Sequence, residues 1–104
     1  MDYKVLVTEE AEEDLECFIQ YLLLEKQSEQ AARNVLDDFE ATKESLKCVA
    51  GSLKLCDNSR LRQLGYRRIN FLNHRYFMLY RIIGELVFID SIFHDLQDYE
   101  NKMN

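Results

Sequence analysis

The spacing of apolar residues divides the chain into an N-terminal helical part and a C-terminal β part. Residues 3–8 alternate between apolar and polar positions, which predicts a short first strand. Across residues 11–22, and again across residues 32–49, apolar residues recur at steps of three and four. Thr8 and Ser28 precede these stretches as candidate N-caps. Because the gap between the two helices is short, they should form an antiparallel hairpin.

The remainder of the chain is rich in β-branched and aromatic residues. Three strands are predicted, at residues 66–71, 76–83 and 86–93, and Gly84 and Glu85 form a two-residue turn between the last two. Residues 51–63 have the composition of a loop. The expected fold is a two-layer α+β domain of order β-α-α-β-β-β, with the helical hairpin packed on one face of an antiparallel sheet. One domain should span residues 1–104, with 95–104 as a polar tail or a short helix.

Alternation along the strands assigns side chains to the two faces of the sheet. The more apolar sets are expected to face the helices; they are Ile69 and Phe71, then Phe77, Leu79 and Ile83, then Val87, Ile89, Ser91 and Phe93. The face directed away from the helices should then carry Arg68, Asn70, Tyr76, Tyr80, Asp90 and His94. Asp90 interrupts an apolar strand, so it requires a partner, and Arg68 or Arg81 is the candidate.

Charge is distributed unevenly along the chain. The net charge is −6, yet residues 58–84 contain six arginines and neither a lysine nor an acid. The six are Arg60, Arg62, Arg67, Arg68, Arg75 and Arg81. A guanidinium binds phosphate or carboxylate through a planar set of paired donors. Any one of these arginines can pair with the acidic helices, but as a cluster they favour an anion-binding surface.

The remaining composition excludes several classes of protein. The three cysteines are odd in number and lack C-x-x-C spacing, which indicates reduced thiols and neither a disulfide framework nor a metal site. No apolar run approaches the roughly 18 residues of a membrane span, and the first residues do not have the pattern of a signal peptide. We therefore expect a cytoplasmic protein that does not enter the membrane and that acts without a cofactor.

Three segments together resemble the RelE/ParE superfamily of type II toxin–antitoxin systems. They are GYRRI at residues 65–69, YFMLYR at residues 76–81 and HDLQDYE at residues 94–100. The order of elements and the chain length also fit, so the resemblance covers nearly the whole chain. It implies a bacterial toxin that is neutralised by a small antitoxin, a segment of which wraps the toxin. Binding to duplex DNA is expected only through that antitoxin.

The resemblance also implies roles for individual residues. In members that cleave mRNA on the ribosome, His94 would be the general acid, Arg68 and Arg81 would stabilise phosphate charge, and Tyr99 would orient a base. The implied substrate contacts are Arg62, Arg67, Asn70, Tyr76 and Tyr80. Phe77, Asp95 and Gln97 stand at positions that are usually basic in such relatives.

Two classes of function therefore compete. The first is inhibition of translation by ribosome-dependent mRNA cleavage, with the ribosome and mRNA as partners, and we expect this one because alternation places His94 and Arg68 on one face. The alternative is a non-enzymatic inhibitor of DNA gyrase, or a degenerate toxin that acts only as an antitoxin-binding module.

Overall fold

The computed structural model describes residues 2–97, which form a mixed sheet and a set of helices. In chain order the elements are β1 (Lys4–Val7), α1 (Glu9–Leu24), α2 (Glu29–Val49), a 3-10 turn (Ala50–Ser52), α3 (Ser59–Gln63), β2 (Arg67–Asn70), β3 (Tyr76–Ile83) and β4 (Leu86–His94). The Thr8 hydroxyl accepts the Ala11 N–H at 3.2 Å, and the Ser28 hydroxyl accepts the Ala31 N–H at 3.1 Å. Both predicted caps are therefore confirmed, and each predicted strand overlaps an observed one.

The four strands lie in the order β1-β4-β3-β2. β2, β3 and β4 are antiparallel neighbours, as predicted, and Gly84 makes the β3–β4 turn with φ of +63°. β1 instead pairs in parallel with β4, so the sheet is mixed. The helices carry the chain from β1 at one edge to β2 at the far edge, and the antiparallel strands β2, β3 and β4 then lead back, so that β4 lies beside β1 in the parallel direction. β2 forms the other edge.

The main core lies between the sheet and the helical hairpin. The predicted α1 stripe packs there through Ala11, Leu15, Phe18, Ile19 and Leu22, and α2 contributes Val35, Phe39 and Leu46. Leu36 also follows the three- and four-residue spacing of α2, but it is 39% exposed. The sheet contributes Tyr76, Met78, Tyr80, Val87, Ile89 and Ile92. We call this the helical side of the sheet.

A second, smaller core lies on the opposite side of the sheet. Leu61 of α3 and Cys56 pack there against Phe77, Leu79 and Phe93. The prediction that residues 51–63 form only a loop is therefore wrong. The sequence of α3 is short and polar, but the Asn58 side chain caps it by accepting the Leu61 N–H at 3.0 Å. α3 adds a partial third layer over the face that was expected to be open.

The predicted facing of β3 is wrong. Tyr76, Met78 and Tyr80 lie on the helical side, whereas Phe77 and Leu79 lie on the opposite side. Both alternating sets of β3 are apolar because both faces of this central strand are covered, so alternation alone could not distinguish them.

The predicted facing of β4 is correct at Val87, Ile89 and Asp90 and wrong from Ser91 onward. Tyr80 pairs with Ile89 but Leu79 pairs with Ser91, so Asp90 is an extra residue in a β-bulge. A bulge shifts the alternation by one residue. Ser91 and Phe93 are thereby directed to the opposite side, while Ile92 and His94 are directed to the helical side. Among residues 2–97, no helix combines the length and the apolar composition needed to cross a bilayer.

Candidate functional site

His94 lies on the helical side, at the end of β4. It pairs with Tyr76 across the sheet, and the two rings meet edge to face with centroids 5.1 Å apart. The imidazole Nδ1 of His94 accepts a hydrogen bond from the backbone N–H of Leu96 at 3.2 Å. The backbone N–H of His94 donates to Gln97 Oε1 at 2.9 Å. These contacts cap the strand and direct the imidazole into a local turn.

Arg68 lies on the opposite side of the sheet from His94. It pairs with Leu79, and its guanidinium stacks on the Phe77 ring at 3.7 Å from the centroid. Its Nε donates to Asn70 Oδ1 at 2.9 Å, and its Nη2 lies 3.6 Å from Asp95 Oδ1. The expectation that alternation brings His94 and Arg68 to one face is wrong, because the bulge at Asp90 intervenes.

Arg81 is the partner of Asp90, which confirms one of the two candidates. Its Nε donates to Asp90 Oδ2 at 2.6 Å, and its guanidinium lies 5.5 Å from the centre of the Tyr66 ring. The hydrogen bond to Asp90 raises the pKa of Arg81. Burial and the charge of Asp90 raise the pKa of Tyr66. With Thr8, Glu9, Glu10 and Ser91, these three residues line a cleft of about 580 Å³.

Tyr76 and Tyr80, which were predicted to contact substrate, are core residues. Tyr76 packs edge to face on Phe18 with ring centroids 4.8 Å apart. Tyr80 has no exposed surface, and its hydroxyl donates to the Ala50 carbonyl at 2.8 Å. Burial raises the pKa of Tyr80 to about 12. The Tyr80 ring is therefore a structural element that cannot stack on a base.

The other residues that were predicted to contact substrate differ in how much of the side chain is exposed to solvent. Arg67 donates to the Leu53 carbonyl and lies on the helical side, paired with Tyr80. Arg62 donates to the Cys56 carbonyl at 3.1 Å but keeps 55% of its side chain exposed. Asn70 is exposed and accepts from Arg68, as described above. The proposed role of Tyr99 falls outside the described residues.

Sequence reasoning missed a buried carboxylate that anchors the turn between β2 and β3. The side chain of Asp38 is 1% exposed and accepts a hydrogen bond from His74 Nδ1 at 2.6 Å. It also accepts the backbone N–H groups of Leu72 at 3.0 Å and Asn73 at 2.9 Å. Burial alone would raise the pKa of Asp38, but the bonds from His74, Asn73 and Leu72 outweigh it and hold the pKa below the ordinary value of 3.8.

One signal for this anchor was present in the sequence. Asp38 follows Val35 by three residues and precedes Phe39 and Thr42, so it lies on the apolar stripe of α2. A carboxylate at such a position requires donors. His74, in the turn between β2 and β3, is half-buried and is one of these donors.

The functional groups thus form two separate regions. On the helical side, His94 and the tyrosines are packed or hydrogen-bonded within the fold. On the opposite side, the exposed parts of Arg62, Arg68 and Arg81 surround α3 and the β2 edge. Each of these guanidinium groups lies beside a carboxylate, which is Asp57 for Arg62, Asp95 for Arg68 and Asp90 for Arg81.

Comparison with known proteins identifies the family. Residues 5–99 match the model of the ParE toxin of the type II toxin–antitoxin system parDE. The chain belongs to the ParE toxin family. A chain from the chromosomal ParDE toxin–antitoxin system of P. aeruginosa has the same fold, with a TM-score of 0.70 and 18% sequence identity. The match covers 88% of this chain and 95% of that one. No curated protein sequence is significantly similar to this chain.

Membership of the ParE family confirms the predicted RelE/ParE resemblance and the α+β fold. It makes the protein a toxin of a type II system, and such a system includes an antitoxin as partner. The family match covers the described sheet and helices almost completely.

Proposed function

We propose that this ParE-family toxin acts by binding, and that its target is DNA gyrase. The observation that carries the proposal is the placement of His94 and Arg68 on opposite sides of the sheet. A general acid and a group that stabilises phosphate charge must reach the same phosphodiester. Two side chains separated by a packed sheet do not meet this requirement, whereas a non-enzymatic inhibitor needs no such pair.

The family assignment supports the same conclusion, because ParE-type members of the superfamily are the ones that poison gyrase. The positions of Phe77 and Asp95 agree with it as well. Phe77 is covered by the Arg68 guanidinium, and Asp95 lies beside that guanidinium, where a nuclease would need positive charge to hold RNA.

The proposal is tested with two assays on the same purified toxin. We expect inhibition of gyrase supercoiling with accumulation of cleaved DNA, and no ribosome-dependent cleavage in primer extension on a translated message. His94→Asn should leave gyrase inhibition unchanged, since an asparagine Oδ1 can still accept the Leu96 N–H. The cognate antitoxin should restore supercoiling when it is added at equal concentration.

The opposite outcome is equally specific. Ribosome-dependent cleavage that falls by about 10²–10⁴-fold in His94→Asn would assign general acid catalysis to His94 and would overturn the proposal. Expression of the toxin alone in bacteria serves as the common control. Normal growth at high soluble expression would favour the degenerate toxin over either active form.

A further inference from the structure

Arg68 presents a guanidinium in a fixed orientation. One face of the group lies on the Phe77 ring at 3.7 Å from the centroid, and its Nε is held by Asn70 at 2.9 Å. The stack fixes the plane of the guanidinium and the Asn70 bond fixes its direction. A guanidinium that is held in this way binds a carboxylate at a low entropic cost, because it is already ordered before the partner arrives.

The anion now beside Arg68 is weakly held. Asp95 Oδ1 lies 3.6 Å from Nη2, whereas a charge-assisted hydrogen bond is about 2.7–2.9 Å long. The two side chains are 37% and 43% exposed, so water screens the pair. The Asp95 N–H donates to the Arg75 carbonyl at 2.9 Å, which keeps the carboxylate near the guanidinium. Asp95 is therefore a local anion that another carboxylate can replace.

The surroundings of Arg68 suit an extended peptide segment. A cleft of about 340 Å³ opens beside it, lined by Asn70 and by residues 53–57. The cleft lies between residues 53–57 and β2, an edge strand whose Arg67 makes an antiparallel bridge with Leu55. Its lining includes the apolar residues Leu53 and Leu55, and the Lys54 side chain beside them is 85% exposed. An alternating acidic and apolar segment matches both kinds of wall.

Charge differs between the start of α1 and the β2 edge. The first turn of α1 carries Glu9, Glu10 and Glu12, and Glu9 and Glu10 line the cleft that also contains Arg81. Around α3 and the β2 edge, the basic residues Lys54, Arg60, Arg62 and Arg68 outnumber the acidic residues Asp57 and Asp95. An acidic partner is therefore attracted to the β2 edge more strongly than to the start of α1.

We propose that Arg68, stacked on Phe77 beside the β2 edge, is the receptor for a carboxylate of an acidic, extended protein segment, and that Asp95 occupies this receptor until the partner displaces it. The inference rests on the toxin's having a protein partner and does not depend on gyrase as the target. RNA fits the region less well, because the Phe77 face, on which a base would stack, is covered by the Arg68 guanidinium.

The test uses the full-length toxin and a fluorescein-labelled decapeptide that alternates glutamate and valine. Binding is measured by fluorescence anisotropy at low and at physiological salt. Arg68→Lys should weaken binding by about tenfold, because lysine cannot reproduce the stacked, two-pronged contact. Asp95→Asn should tighten it by about twofold to fivefold, which is the size expected when an exposed competing pair is removed.

Matched controls make the same chemical changes on α2. Arg33 and Asp37 are exposed residues of the helical layer. Arg33→Lys and Asp37→Asn should therefore leave the affinity for the peptide unchanged. A peptide with glutamine in place of glutamate should not bind, and binding of the acidic peptide should weaken as salt rises. Thermal melting of each variant verifies that it is folded.

Three outcomes would overturn the inference. One is the absence of detectable peptide binding to the folded toxin. Another is an affinity for the acidic peptide that neither Asp95→Asn nor Arg68→Lys changes. The same conclusion would follow if the control variants Asp37→Asn and Arg33→Lys changed that affinity by equal amounts. The third is binding of a single-stranded RNA of the same length in place of the peptide. None of these outcomes affects the gyrase assay, so the two proposals can fail separately.

Discussion

Replacement of Asp38 tests how the turn between β2 and β3 is fixed. Three short hydrogen bonds converge on this buried carboxylate, from the N–H groups of Leu72 and Asn73 and from His74 Nδ1 at 2.6 Å. The Thr42 hydroxyl lies farther from the carboxylate, at 3.5 Å, and donates to the Asp38 carbonyl at 2.7 Å. The three short bonds connect the middle of α2 to the turn that joins β2 and β3 of the sheet. Asp38→Ala removes all three bonds at once and leaves the donors facing a small, apolar side chain.

The magnitude follows from the partners and from their exposure. A hydrogen bond to a charged acceptor contributes about 1.5–3 kcal/mol. Leu72 and Asn73 are exposed residues, so water can replace part of what their N–H groups lose. We therefore expect Asp38→Ala to lower the free energy of unfolding by about 2–4 kcal/mol, which is less than three such bonds would give. For a domain of this size the melting temperature should fall by about 10–30 °C.

The measurement is urea unfolding followed by circular dichroism, with Asp37→Ala as the control. Asp37 is exposed and adjacent to Asp38, so it shares the helix and the change in net charge but not the three donors. Asp37→Ala should change stability by less than about 0.5 kcal/mol. If the two variants unfold at the same urea concentration, the Asp38 carboxylate does not hold the turn and the reasoning is refuted.

Two further predictions concern buried charge. Because the pKa of Asp38 lies below 3.8, its stabilising contribution is present above that pH and is lost as the pH falls through the folded-state value. The difference in melting temperature between the parent protein and Asp38→Asn should therefore shrink below about pH 4; a constant difference would contradict this. Arg81→Gln leaves the 12%-exposed Asp90 carboxylate without its 2.6 Å partner and should cost about 1–3 kcal/mol in urea unfolding. Arg81→Gln combined with Asp90→Asn should recover part of that loss, and an additive double variant would argue against the pairing.

The elements of the fold could be predicted because local chemistry marks their ends. Thr8 and Ser28 cap α1 and α2 through side-chain bonds that any helix start would use. Gly84 adopts a positive φ in the two-residue turn where glycine was expected. These signals depend on neighbours in sequence, so they can be read without knowledge of the tertiary structure.

The pairing of distant elements could not be predicted in the same way. The parallel contact of β1 with β4 depends on how the hairpin crosses the sheet, and no residue in 4–7 encodes it. The facing of β3 depends on α3, which covers Phe77 and Leu79 and allows Tyr76 and Tyr80 to face the main core. A strand that is apolar on both faces carries no alternation from which its orientation can be inferred.

The bulge at Asp90 explains why the candidate site was harder to predict than the fold. An unbroken alternation along β4 would place His94 on the same side as Asp90 and Arg68, which is the arrangement that favoured a nuclease. One extra residue reverses the direction of every side chain that follows it, so His94 packs on Tyr76 instead. The sequence indicates where the bulge lies, because Asp90 is the one acidic residue within β4. In the structure, Asp90 accepts a hydrogen bond from Arg81 at the bulge. A charged residue inside an apolar strand therefore marks a position where the alternation can change, and a functional assignment that relies on side chains beyond it needs the register of the strand.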